Sequence, residues 1–124
     1  MQTFSKTERL CSQVLIDRLV EKGKSFNSFP FRISWLEIAE SSAPVKIVIS
    51  VPKRIFKKAV DRNKIKRQIR EVYRKEKQKG YDLLGDKKIL LMLVYTAKIK
   101  MEFKELEAKI IEALERLNKT VNTN

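Results

Sequence analysis

Two short apolar runs, residues 45–51 and 88–95, bracket the most lopsided part of this chain. Between them, residues 52–79 carry thirteen Lys/Arg against three Asp/Glu. Each run has the length of a strand and is apolar on nearly every position, the pattern of a central strand rather than one with a wet face. Pro52 ends the first run. The stretch that follows predicts a long helix from about Ala59 to Lys79, stopped by Gly80, with a loop at 81–87 before the second run.

The flanking segments complete the layout. Ser12 caps a first helix that runs to about Lys22, with Gly23 as its stop and Leu15, Ile16, Leu19 and Val20 on its apolar face. Residues 29–38 alternate: Phe29, Phe31, Ile33 and Trp35 point one way, and Pro30, Arg32, Ser34 and Leu36 the other, as in a strand with one face in the core. Glu40–Pro44 reads as a turn. A last helix spans about Met101 to Asn118 on the stripe Phe103, Leu106, Ile110, Leu114 and Leu117, and Thr120 to Asn124 are expected to fray. The order helix–strand–strand–helix–strand–helix over one 124-residue domain points to an α/β sandwich, one sheet covered by helices.

Composition excludes several chemistries. Histidine is absent and cysteine occurs once, at Cys11. Without His there is no Ser-His or Cys-His catalytic pair and no His-ligated zinc. A lone Cys allows no internal disulfide and suits a reducing compartment. No run approaches the roughly 20 apolar residues that span a bilayer, and Met1–Arg9 lacks the apolar run of a signal peptide. A cytoplasmic protein is expected.

The net charge of +13 is concentrated: residues 52–79 hold +10 of it. On a helical wheel with Ile65 at zero, Ile69 and Val72 lie close by and form a narrow seam. Round from that seam come Arg62, Tyr73, Lys66, Lys77, Arg70, Asn63, Arg74 and Arg67, an arc without a carboxylate. A solvated face normally mixes signs, as the last helix does with its alternating Glu and Lys. A membrane-surface helix needs a broader apolar face, and a helix-turn-helix reader of DNA needs a second helix one short turn away, where this chain has strands. Recognition of a phosphate backbone remains, with structured RNA the best target.

The run Ala59-Val60-Asp61-Arg62-Asn63-Lys64-Ile65-Lys66-Arg67-Gln68-Ile69-Arg70-Glu71-Val72-Tyr73-Arg74 resembles the signature of the bacterial ribonuclease P protein subunit. Ser50-Val51-Pro52-Lys53-Arg54 resembles the strand end that precedes that signature, and Arg9-Leu10 and Gly23-Lys24-Ser25 match the family's layout. Lys64 departs from it: the family has a second Arg there, and Lys keeps the charge without the planar fork. Lys57-Lys58 replace a less charged pair.

The resemblance implies a ribosomal-protein-like two-layer sandwich with an unusual left-handed βαβ crossover, against the usual hand. It also implies a function: the protein subunit of a ribonucleoprotein that removes the 5′ leader of precursor tRNA. The catalytic RNA would carry the chemistry with bound Mg²⁺, the protein would hold no metal itself, and protein and RNA would form a heterodimer without DNA or membrane. Carried over, Lys53, Arg54, Arg62, Asn63, Lys64, Lys66, Arg67, Arg70 and Arg74 would meet the catalytic RNA. A cleft between the first helix and the sheet, with Ile16, Val20, Arg32, Ser34 and Trp35, would take the leader. The aliphatic Ile16 and Val20 suit a cleft that is more electrostatic than stacking. A ribosomal or chaperone protein of similar fold, and a self-sufficient nuclease, are the alternatives. The nuclease lacks any cluster of His or carboxylates. Near the arc, Asp61 suits the positive end of the helix dipole, and Asn63 could orient a water or a phosphate.

Overall fold

The computed structural model describes residues 12–39 and 44–122. Arg9, Leu10, Cys11, most of the expected turn at 40–44 and the last two residues lie outside that range. The elements are α1 (Gln13–Lys22), β1 (Lys24–Ser28), β2 (Phe31–Ile38), β3 (Val45–Ser50), α2 (Ala59–Leu84), β4 (Lys88–Tyr95) and α3 (Phe103–Asn122). All four strands form one sheet in the order β1-β2-β4-β3. β1 and β4 both pair antiparallel with β2, whereas β3 runs parallel to β4 across the α2 connection.

The two apolar runs become neighbouring strands, β3 and β4, but β3, expected to be central, stands at the edge of the sheet. β4 lies between β2 and β3, and its near-continuous apolar character follows from being covered on both faces. On one face, α2 and α3 close over Phe31, Ile33, Trp35, Ile47, Leu91 and Leu93. On the other, α1 sets Leu15, Ile16 and Leu19 against Leu36, Val48, Leu90 and Met92. Ser12 caps α1 as expected, its Oγ accepting from the Leu15 N–H. Gly23 is required by close approach, since a Cβ there would collide with the Leu19 carbonyl and sit 3.0 Å from that of Trp35.

The structure corrects the expected layout in four further places. β1 is an additional strand: it has one large apolar residue, Phe26, and no alternation to reveal it. Long-range partners hold it, namely the ladder to β2 and Arg116, whose guanidinium lies 4.6 Å over the Phe26 ring and donates to the Asn27 carbonyl at 2.6 Å. Phe29, expected to point inward, is exposed in the turn between β1 and β2. α2 does not stop at Gly80 but continues to Leu84, where Gly85 at φ +63° ends it. α3 continues past the expected end at Asn118 to Asn122, because Val121 is buried and its carbonyl accepts from Lys87 Nζ at 2.9 Å.

Candidate nucleic-acid interface

α2 packs along its length in two different ways. Over its first half only Ile65, Ile69 and Val72 are buried, the narrow seam expected from the wheel. Over its second half α3 lies alongside, and the buried face widens to include Tyr73, Lys77 and Leu84. Tyr73 and Lys77, which the wheel puts in the cationic arc, are therefore withdrawn from it; Lys77 is only 8 % exposed. The arc survives where no second helix covers it, from Arg62 to Arg70.

Within that length the groups differ. Asn63, Lys64, Arg67 and Arg70 are exposed and Lys66 is half-buried. Among the described residues, neither Arg67 nor Arg70 pairs with a carboxylate. Lys53 and Arg54 stand exposed in the turn after β3. Arg62 acts within the fold. Its Nη1 donates to the carbonyls of Phe56 at 2.8 Å and Lys57 at 2.7 Å, which ties the 53–58 loop to the first turn of α2. Arg74 closes the arc differently from its neighbours. It binds Glu71 at 2.6 Å, and that hydrogen bond raises the guanidinium pKa and lowers that of the carboxyl. Its charge is locally offset, so Arg74 is a weaker candidate than Arg67 or Arg70.

The residues expected in a cleft separate. Arg32 and Ser34 lie on the sheet face that carries α1, Arg32 exposed and Ser34 half-buried, and Ile16 packs on that face. Arg32 pairs in register with Val94, and Val94 with Ser50, so the end of the sheet beside Lys53 and Arg54 is polar. Val20 is 68 % exposed and outside the α1 seam. Trp35 does not belong to this face: it shares the parity of Phe31 and Ile33 and is 5 % exposed beneath α2 and α3.

Among the described residues no group of three or more His, Cys, Asp or Glu side chains gathers to hold a metal. Asp61, which precedes Arg62, is engaged by Lys100 at 2.8 Å. Among the same residues no helix is long and apolar enough to cross a membrane.

This geometry has relatives. The family model described as Ribonuclease P matches residues 4–118. The ribonuclease P protein component of Porphyromonas gingivalis is 33 % identical over 93 residues, 74 % of this chain and 68 % of that protein. That of Xylella fastidiosa is 31 % identical over 115 residues, 92 % of this chain and 78 % of that protein. The Staphylococcus aureus RNase P protein structure superposes with a TM-score of 0.70 at 27 % identity, covering 94 % of this chain and all of that one. A signature centred on the exposed half of α2, a family match over nearly the whole length and a shared fold agree: this chain belongs to the ribonuclease P protein family, the tRNA-processing protein components of a ribonucleoprotein endoribonuclease.

Proposed function

We propose that the chain is the non-catalytic subunit of its ribonucleoprotein, gripping the catalytic RNA with the first half of α2. Asn63, Lys64, Lys66, Arg67 and Arg70, with Lys53 and Arg54 before the helix, form the main contact. Arg62 orders the 53–58 loop, and Arg74 serves at the edge. The observation that carries this reading is the run Lys64, Lys66, Arg67 and Arg70, which reaches solvent with neither arginine paired to a carboxylate among the described residues. Arginine forks at 67 and 70 can bind phosphate oxygens two at a time, and Asn63 between them can donate to a phosphate or a base edge.

The 5′ leader of precursor tRNA would cross the uncovered end of the α1-side sheet face, over Arg32 and Ser34 and past Ile16, with Val20 at the rim. This track supplies charge and hydrogen bonds rather than aromatic stacking, since Trp35 faces the core. Mg²⁺ would be held by RNA, which also performs the endonucleolytic cut, in a cytoplasmic protein–RNA heterodimer. Reconstitution tests the reading: added to a ribonuclease P RNA at low Mg²⁺, the chain is expected to raise the rate of leader removal from precursor tRNA. Cleavage by the protein alone, or RNA cleavage that the protein leaves unchanged, would overturn it.

A further inference from the structure

The second half of α2, away from the cationic arc, frames a cleft. It lies between that half-helix, α3 and the first residues of β3 and β4, and its volume is about 220 Å³. Leu84, Ile89, Leu91, Ile111 and Leu114 make its walls, with Val45 at the sheet end. The first three are buried core residues, whereas Ile111 and Leu114 are only partly covered. Gly80 opens the cleft. The positive φ in this part of the chain belongs to Gly85, so α2 does not need the conformational freedom of Gly80. Packing does not need it either. Outside its own helix, a Cβ there would meet only the Asn118 side chain, 3.8 Å from Nδ2 and 3.9 Å from Oδ1, which is ordinary contact. Glycine is a poor helix residue, and what its bare backbone leaves here is room beside Asn118.

The polar groups around this apolar space differ in what they have left to offer. Glu76, Glu115, Lys77 and Lys79 line it, so its formal charges cancel in a strongly cationic protein. Lys79 is paired with Glu76 at 3.5 Å. Lys77 is almost wholly buried and already engaged within the protein. Glu115 is exposed, and among the described residues no cation pairs with it. Among the same residues no hydrogen bond engages the half-buried Asn118 amide. Glu115 and Asn118 are three residues apart on α3 and share one face of it. The open groups are thus a carboxylate and an amide, and a cationic donor suits both.

We propose that this cleft binds a small aromatic amine. The ring system lies between α2 and α3 beside Gly80, and the protonated amine reaches the Glu115 carboxylate and the Asn118 side-chain carbonyl. The volume sets the size of the occupant. Sites for drug-sized ligands run to roughly 300–1,000 Å³, so this smaller space takes one ring system with a short arm. Tyr73 and Tyr81, also in the lining, add aromatic surface that favours a flat partner and accepts a nearby cation. The site shares no residue with the cationic half of α2, and its occupancy is measured without RNA.

The test uses the full chain and probes that share one ring: tryptamine, indole and indoleacetate, titrated at neutral pH while amide NMR spectra are followed. Tryptamine is expected to shift the amides around Gly80, Leu114 and Asn118 saturably. It should bind up to about fivefold more tightly than indoleacetate, the ratio that one exposed ion pair provides, with indole between them. Glu115→Gln should remove that preference and leave the melting temperature unchanged. Gly80→Ala, whose Cβ fits without a clash, should raise the melting temperature and weaken binding. Gly80→Leu, which fills the space, should abolish the shifts. No saturable shift with tryptamine, or shifts that persist unchanged in folded Gly80→Ala and Gly80→Leu, would overturn the site. Tighter binding of indoleacetate than of tryptamine would overturn its assignment to an amine.

Discussion

Salt is the most direct physical probe of a surface like this one. Six cations of the main contact reach solvent: Lys53, Arg54, Lys64, Arg67 and Arg70 fully, and Lys66 in part. If each neutralises one phosphate, log affinity falls with log salt at a slope of about −0.9 per contact, or roughly −5 in all. A rise from 50 to 200 mM salt is a factor of four, so affinity should drop by about 10³ over that range. Arg67→Ala/Arg70→Ala removes two contacts, which reduces the slope to roughly −3.6 and the drop to about 10². Fluorescence anisotropy with labelled ribonuclease P RNA measures both slopes. Lys109→Glu on α3, whose face mixes signs, serves as the control and should leave the slope within a few tenths of the parent. A parent slope shallower than about −2, or equal effects from α2 and α3 variants, would refute the assignment of this face.

Other consequences follow from particular contacts. Glu71→Gln removes the carboxylate that offsets Arg74 and should tighten RNA binding several-fold at low salt, read in the same anisotropy assay; weaker binding would show that the pair itself positions the helix. Ile69 is fully buried between α2 and the sheet, so Ile69→Ala should cost about 2–5 kcal/mol in denaturant unfolding. Asp61 and Glu71 both titrate below their usual range, Asp61 through Lys100 and Glu71 through Arg74. Their folded values lie below the unfolded ones, so this stabilisation is present above the unfolded values, near pH 4, and is lost as pH falls through the folded ones. The melting temperature should decline through that window, and Asp61→Asn/Glu71→Gln should decline less steeply.

The two apolar strands and the start of each helix were legible because local chemistry sets them, although the edge position of β3 was not. Two apolar runs can only be buried strands, and Ser12 is an N-cap whatever surrounds it. The seam at Ile65, Ile69 and Val72 was equally plain, and with it the cationic half of α2. The parity of Phe31, Ile33 and Trp35 placed Trp35 in the core, and its assignment to a cleft went against that parity. The elements that escaped are those fixed by distant partners. β1 exists because β2 and Arg116 hold it. α2 passes through Gly80, at a helical cost of about 1 kcal/mol, since Tyr81 and Leu84 have core to pack against. Tyr73 and Lys77 are buried because α3 lies beside the second half of α2, and no wheel drawn for one helix can show its neighbour. The Asp61–Lys100 ion pair spans 39 residues and has no local signal at all.

Cleavage of precursor tRNA by a ribonuclease P RNA at low Mg²⁺, with the parent chain or with Arg67→Glu/Arg70→Glu, bears most directly on the role of α2. The parent should accelerate leader removal, and the reversed variant, folded to the same melting temperature, should give the rate of the RNA alone. Acceleration by the variant equal to that of the parent would contradict the account.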